Sequence, residues 1–234
     1  TKNGGMRMLR KAGMPLPIGL ILGLAVCFVL FFTAGCQSIY YGAMEQIGIH
    51  KRDLMVSNVE KARNAQQDAQ EQFKSALDRF TKTLNIKGGE LQEKYDILNA
   101  EYEESSAKAQ AVRDRIASVE DVSTALFDEW ENELKEYSSD SLRQTSRKKL
   151  SHTRTQYAQL IKAMKRAESK MDPVLATFKD QVLFLKHNLN AQTIASLKSE
   201  LSTVELNVAS LIKEMESSIK EADSFISAMA SEKG

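Results

Sequence analysis

The chain has 234 residues, 27% charged and 42% hydrophobic, with three prolines and a formal charge of +1, a composition that fits one domain plus a short appendage. Four of its 32 basic residues, Lys2, Arg7, Arg10 and Lys11, stand in 1–35, where there is no acid, so the remainder holds 28 basic against 31 acidic groups and is net −3. A mildly acidic body argues against a general nucleic-acid binder, which needs a net basic face, and two cysteines, Cys27 and Cys36, supply no disulfide framework.

The first element in chain order reads as an export signal. Met6 to Lys11 form a positive stretch, IGLILGLAVCFVLFF (18–32) an apolar run, and Thr33-Ala34-Gly35 the small residues that a signal peptidase tolerates. Met6 and Met8 are both candidate initiators. The TAGC stretch resembles the lipobox of bacterial lipoproteins, with Thr33 where that pattern most often has leucine. The resemblance implies cleavage before Cys36 and acylation of that residue, first on sulfur and then on its amino group. Each acyl methylene buried in the bilayer adds roughly 0.8 kcal/mol. Gln37, where an aspartate tends to retain such proteins in the inner membrane, implies the outer membrane. The alternative is an uncleaved signal anchor in the inner membrane, because the run extended through Gly35 reaches the lower edge of what spans a bilayer.

On this reading residues 1–35 are a lipoprotein-type signal peptide, 36–41 a short membrane-proximal tether, and 42–234 a helical body. In the body, glycine is confined to Gly42, Gly48, Gly88-Gly89 and Gly234. The rest is rich in Ala, Glu, Lys, Gln and Leu, which are good helix formers. Turns are expected at Gly88-Gly89, at SSDS (138–141) and at NLNA (188–191). They leave helices of about 42–86, 90–137, 141–187 and 192–231, each roughly 60 to 75 Å long at 1.5 Å per residue. Four helices of similar length with short connections predict an all-α fold, an elongated antiparallel up-down-up-down four-helix coiled-coil bundle.

A strict alternation of three and four tests that expectation. In the first helix it runs Met55, Val59, Ala62, Gln66, Ala69, Phe73, Ala76 and Phe80, a seam small enough to pack closest to its neighbours. In the second it runs from Leu91 to Tyr137, with Ser105, Ser123 and Glu133 as polar exceptions. The third runs from Leu150 to Leu185, interrupted by Thr153 and Gln181, and the fourth from Ile194 to Met229, interrupted by Ser218. Pro173 lies inside the third helix, where proline removes a hydrogen bond. Since the seam stays in phase from Met171 to Val174, a kink is expected, the alternative being a break capped by Asp172.

Charge supports antiparallel pairing at SSDS. Glu129, Glu131, Glu133 and Glu136 end the second helix, while Arg143, Arg147, Lys148, Lys149 and Arg154 begin the third. From MDPVLATFKDQVLFLKHNLNA (171–191) onward, and more loosely across the body, the chain resembles an uncharacterised family of bacterial coiled-coil lipoproteins classed as a domain of unknown function. That resemblance implies a helical, envelope-associated protein with no assigned activity, and it carries over no catalytic residues.

A search for chemistry finds three histidines, His50, His152 and His187, on different segments, and no paired cysteines, HExxH or Gly-rich phosphate loop. No catalytic residue, metal site or cofactor is expected. Three binding candidates remain. Arg147, Lys148 and Lys149 start the third helix at the end where the first begins, so they face either anionic headgroups beside the membrane or the acids of the second helix. Ile39, Tyr40 and Tyr41 belong either to the headgroup level or to the first helical turn. At the opposite tip, His187, Asn188 and Asn190 of FLKHNLNA either meet a protein or cell-wall partner or cap backbone groups of the turn.

The expected function is that of a non-enzymatic, lipid-anchored, periplasm-facing scaffold, spacer or adaptor in the bacterial envelope, with a homo-oligomer left open. The alternative is a chaperone-like clamp or carrier that holds an apolar cargo between its helices. A carrier needs a cavity, for which the small residues around Ala69, Ser105 and Ala109 offer the one expected place.

Overall fold

In the computed structural model the described residues are 51–85, 90–188 and 190–231. Residues 51–234 make one compact unit. Cys36, the tether, the stretch 42–50 and the Gly88-Gly89 turn lie outside the described residues. The unit is built of four helices: α1 (Lys51–Asn85), α2 (Leu91–Glu133), α3 (Asp140–His187) and α4 (Ala191–Ser231). Each packs on the next in chain order and α4 returns against α1, which makes a four-helix bundle with two chain-neighbour pairs meeting across the closing face.

Ion pairs across the interfaces fix the directions. Lys51 at the start of α1 bonds Glu129 near the end of α2 at 2.7 Å, and Arg79 late in α1 lies 3.6 Å from Glu101 early in α2. Between α2 and α3, Arg113 meets Asp172 at 2.5 Å and Arg154 meets Glu131 at 2.5 Å. Arg63 of α1 reaches Asp223 of α4 at 2.8 Å, and Arg166 of α3 reaches Glu214 of α4 at 3.3 Å. All neighbouring helices therefore run antiparallel.

Burial follows the alternation of three and four. All eight seam residues expected in α1 are fully buried, and the Ala62, Ala69 and Ala76 methyls let a neighbour approach. α1 packs against both α2 and α4. One level of the core is aromatic: the Phe80 and Phe178 rings stack at 4.6 Å between centroids, with Phe73 at 6.4 Å from Phe178. Burying each such side chain contributes about 1.5 to 3 kcal/mol.

Polar seam residues are buried too, and two of their hydroxyls turn back on their own helix, while Ser105 Oγ has no partner among the described residues. Ser123 donates to the Glu120 carbonyl at 2.8 Å and Thr153 to the Lys149 carbonyl at 3.0 Å, so each occupies a core position without exposing an unmade bond. Glu133 behaves differently and is exposed.

α2 corrects the expected boundary, ending at Glu133 rather than 137. Its last turn contains no basic residue, and Asp128, Glu129, Glu131 and Glu133 crowd the negative end of the helix dipole. The chain relaxes into tighter turns there, with Lys135 N–H donating to Asn132 and Glu136 N–H to Glu133. Leu134 becomes the last buried apolar residue, and Tyr137 leaves the seam for solvent. α3 then starts under Ser139, whose side chain accepts from the Leu142 N–H at 3.4 Å.

Pro173 does not break α3, which runs without interruption from Asp140 to His187. Asp172 is drawn sideways to Arg113 instead of capping a new helix. Among the described residues no helix is long and apolar enough to cross a membrane.

Candidate functional site

At the end of the bundle where α1 begins, the acidic end of α2 and the basic start of α3 are brought together, as their signs require. The pairing is selective. Arg154 bonds Glu131 and sits over the Phe127 ring, 5.1 Å from its centroid, while Arg143 pairs with Asp140 of its own helix. Glu129 goes to Lys51 of α1. Arg147, Lys148 and Lys149 are exposed and make no ion pair among the described residues. The cause is rotational, because buried Leu150 and Thr153 set which side of α3 faces inward and leave Lys148 and Lys149 outside.

Arg147 lines an open cleft of about 800 Å³ between the end of α2 and the start of α3, together with Glu131, Leu134, Arg143 and Arg154. Between the same two helices the Trp130 indole N–H donates to Ser146 Oγ at 2.8 Å, and Phe127 meets Tyr157 edge-on at 5.4 Å. Burial pushes the Tyr157 hydroxyl above its ordinary range, partly offset by its hydrogen bond with Ser123. A hydrogen bond to Glu120 holds the Lys165 ammonium above its ordinary range, and the two lie 2.9 Å apart.

At the other end, the turn between α3 and α4 uses two of the three candidate tip residues internally. Asn188 donates its side-chain amide to the Phe184 carbonyl at 3.0 Å, capping α3. The Asn190 side-chain oxygen accepts from both the backbone N–H and the hydroxyl of Thr193, at 3.0 and 3.1 Å, and caps α4. His187 is exposed and bonds to neither. Thus the turn brings the three residues together, with both asparagines engaged in the caps.

A second cleft next to this turn was not anticipated from the sequence. It is an open groove of about 500 Å³ between α3 and α4, with Thr177, Asp180, Gln181 and Phe184 on one side and Leu197 and Glu200 on the other. Gln181 is 4% exposed, yet neither its amide nitrogen nor its amide oxygen has a hydrogen-bond partner among the described residues. Phe184 is 43% exposed beside it. The signal was present in QVLFLK, where Leu183 and Phe184 add two apolar residues outside a seam already satisfied by Val182 and Leu185.

The place expected for a cargo cavity is closed at the residue level. Ala69, Ser105 and Ala109 are fully buried, and neither cleft reaches them. Among the described residues no group of histidine, cysteine and carboxylate side chains is arranged to hold a metal.

No curated protein and no solved structure matches the chain. The family model described as a protein of unknown function (DUF2959) matches residues 40–229, most of the chain and all but the last residues of the bundle. The chain belongs to that family.

Proposed function

We propose that the protein is a non-enzymatic, lipid-anchored component of the bacterial cell envelope, a periplasm-facing spacer, scaffold or adaptor held at the outer membrane through Cys36. The observation that carries this reading is TAGC at the end of a short apolar run behind a basic stretch, which a spanning anchor does not need. The bundle suits the role. Its seams are filled by side chains along all four helices, as a rigid spacer requires, and the burial of Ala69, Ser105 and Ala109 weighs against the carrier alternative.

Arg147, Lys148 and Lys149 share the end of the bundle that carries Lys51, because Lys51 contacts Glu129 and Arg154 contacts Glu131. Their unpaired charges favour contact with anionic headgroups, each worth about 1 kcal/mol near such a surface.

Cys36→Ala tests the proposal in cells. The wild-type chain should incorporate a labelled fatty acid and fractionate with the outer membrane, and the variant should lose the label and remain unprocessed in the inner membrane. An unlabelled wild-type chain found in the inner membrane would establish the uncleaved anchor instead.

A further inference from the structure

The turn between α2 and α3 sets its apolar and its charged side chains at different heights along the bundle. At the apex Leu142 is 59% exposed and Tyr137 37% exposed. The core does not use them, since Leu134 closes it on one side of the turn and Leu150 opens it on the other. Behind the apex, Arg147, Lys148 and Lys149 follow Leu142 by five to seven residues, about 7.5 to 10.5 Å along α3. Consecutive residues differ by about 100° around a helix, so these three exposed cations project on three sides of α3 while buried Leu150 takes the inward side. The α3–α4 turn is built otherwise, with polar Asn188 and Asn190 at its apex, both engaged in caps.

We infer that the α2–α3 turn docks end-on upon an anionic membrane surface, with Tyr137 and Leu142 entering the interface and Arg147, Lys148 and Lys149 meeting lipid phosphates behind them. A protein lying against one face of α3 would meet at most two of the three cations, whereas a flat surface approached along the helix axis meets all of them. Two exposed apolar side chains also fall far short of the roughly 800 Å² that each side of a stable protein interface buries. The heights match a bilayer, whose polar layer on each side of the hydrocarbon is about 5 to 7.5 Å deep. Apex side chains therefore reach the acyl boundary while the long Lys and Arg side chains keep their heads at the phosphates. Tyrosine suits that boundary, with an apolar ring and a hydroxyl that stays wet. The sign of the charge agrees, because residues 133–149 hold five cations against three acids, one of which, Asp140, is paired to Arg143. The inference rests on the headgroup contact proposed above for the three cations and deepens it, but it needs no acyl chain at Cys36.

The test uses the full chain assembled into nanodiscs of phosphatidylcholine, alone or mixed with phosphatidylglycerol, with hydrogen exchange over 137–143 read by mass spectrometry. The first N–H groups of a helix have no partner within it, so this stretch exchanges fast unless something covers it. Exchange there should slow about tenfold in the anionic discs and stay fast in the neutral ones. Tyr137→Ser combined with Leu142→Ser should lose the protection without a change in unfolding temperature, and so should Arg147→Gln, Lys148→Gln and Lys149→Gln together. The inference is overturned if the wild-type turn exchanges equally in the two kinds of disc or if the serine variant stays protected. Protection that persists in neutral detergent without lipid would assign the turn to a second copy and likewise overturn it. A serine variant that stays protected beside a glutamine variant that does not sinks the insertion and leaves the headgroup contact standing, whereas a protected glutamine variant sinks both. Fractionation of Cys36→Ala bears on none of these outcomes, so the lipid anchor and the turn fail separately.

Discussion

Ser218 of α4 donates its hydroxyl proton to the Oε1 atom of Gln66 on α1, at 2.9 Å, with both side chains fully buried. The amide nitrogen of Gln66 has no partner among the described residues, so the pair is satisfied on one side only. Buried polar pairs of this kind in helical bundles fix register at a cost in stability. Ser218→Ala leaves the Gln66 amide wholly unpaired and should destabilise by about 1 to 3 kcal/mol. Gln66→Leu should hold or raise the unfolding midpoint in urea while broadening the amide spectrum as alternative α1–α4 registers become populated. A single sharp spectrum for Gln66→Leu would show that the alanine seam sets register unaided.

Phe178 of α3 meets α1 across the bundle, its ring against those of Phe80 and Phe73. Phe178→Ala should cost about 3 to 5 kcal/mol, because the removed ring leaves a void that two facing rings cannot fill without changing rotamer. Urea unfolding followed by circular dichroism gives the number. A loss under 1 kcal/mol would mean that the surrounding helices close the space.

Tyr157 makes the bundle sensitive to alkali. Burial raises its folded-state pKa above the usual 10.0, so the neutral hydroxyl is favoured in the folded chain. That contribution is fully present below the unfolded pKa and is lost as pH rises from there through the folded value. Stability should therefore fall more steeply above pH 10 in the wild-type chain than in Tyr157→Phe, measured as unfolding temperature against pH. Parallel curves would show that the hydroxyl exchanges with solvent freely despite its burial beside Phe127.

The basic start of α3 separates two roles. Reversing Arg147, Lys148 and Lys149 to Glu should leave the unfolding temperature nearly unchanged, since none makes an ion pair among the described residues. Arg154→Glu should lower it, because it breaks the Glu131 bond and removes the cation over Phe127, together worth about 1 kcal/mol. A large loss in the triple variant would return these three residues to the α2 interface.

The seams were legible because a helix buries what recurs at three and four residues, and Met55 to Phe80 did so without exception. Sign also predicted which helix ends meet, since Arg154 and Glu131 are both on the flanks of their seams. The early end of α2 was harder to read. Trp130, Glu133 and Tyr137 continue the spacing, but the accumulated negative charge at the helix terminus overrides it, a sum that no single position displays. Of the candidate sites, Asn188 and Asn190 were visible as a turn, yet their capping bonds depend on where two helices start and stop. The α3–α4 groove was hidden for a different reason. Gln181 sits at a seam position, and whether its amide finds a partner is decided by the opposing helix rather than by its own.

Asp172 and Pro173 stand side by side, one tied to α2 through Arg113 and the other unable to donate to the Ser169 carbonyl four residues back. A pull along the bundle axis meets in α3 a ladder with one rung missing, fastened to its neighbour just beside the gap. Load applied between the two ends would make α3 yield first at 169–173, while Arg113 kept the two halves of the helix alongside α2. A bundle with such a place has a set point of mechanical failure partway along one helix rather than at either end.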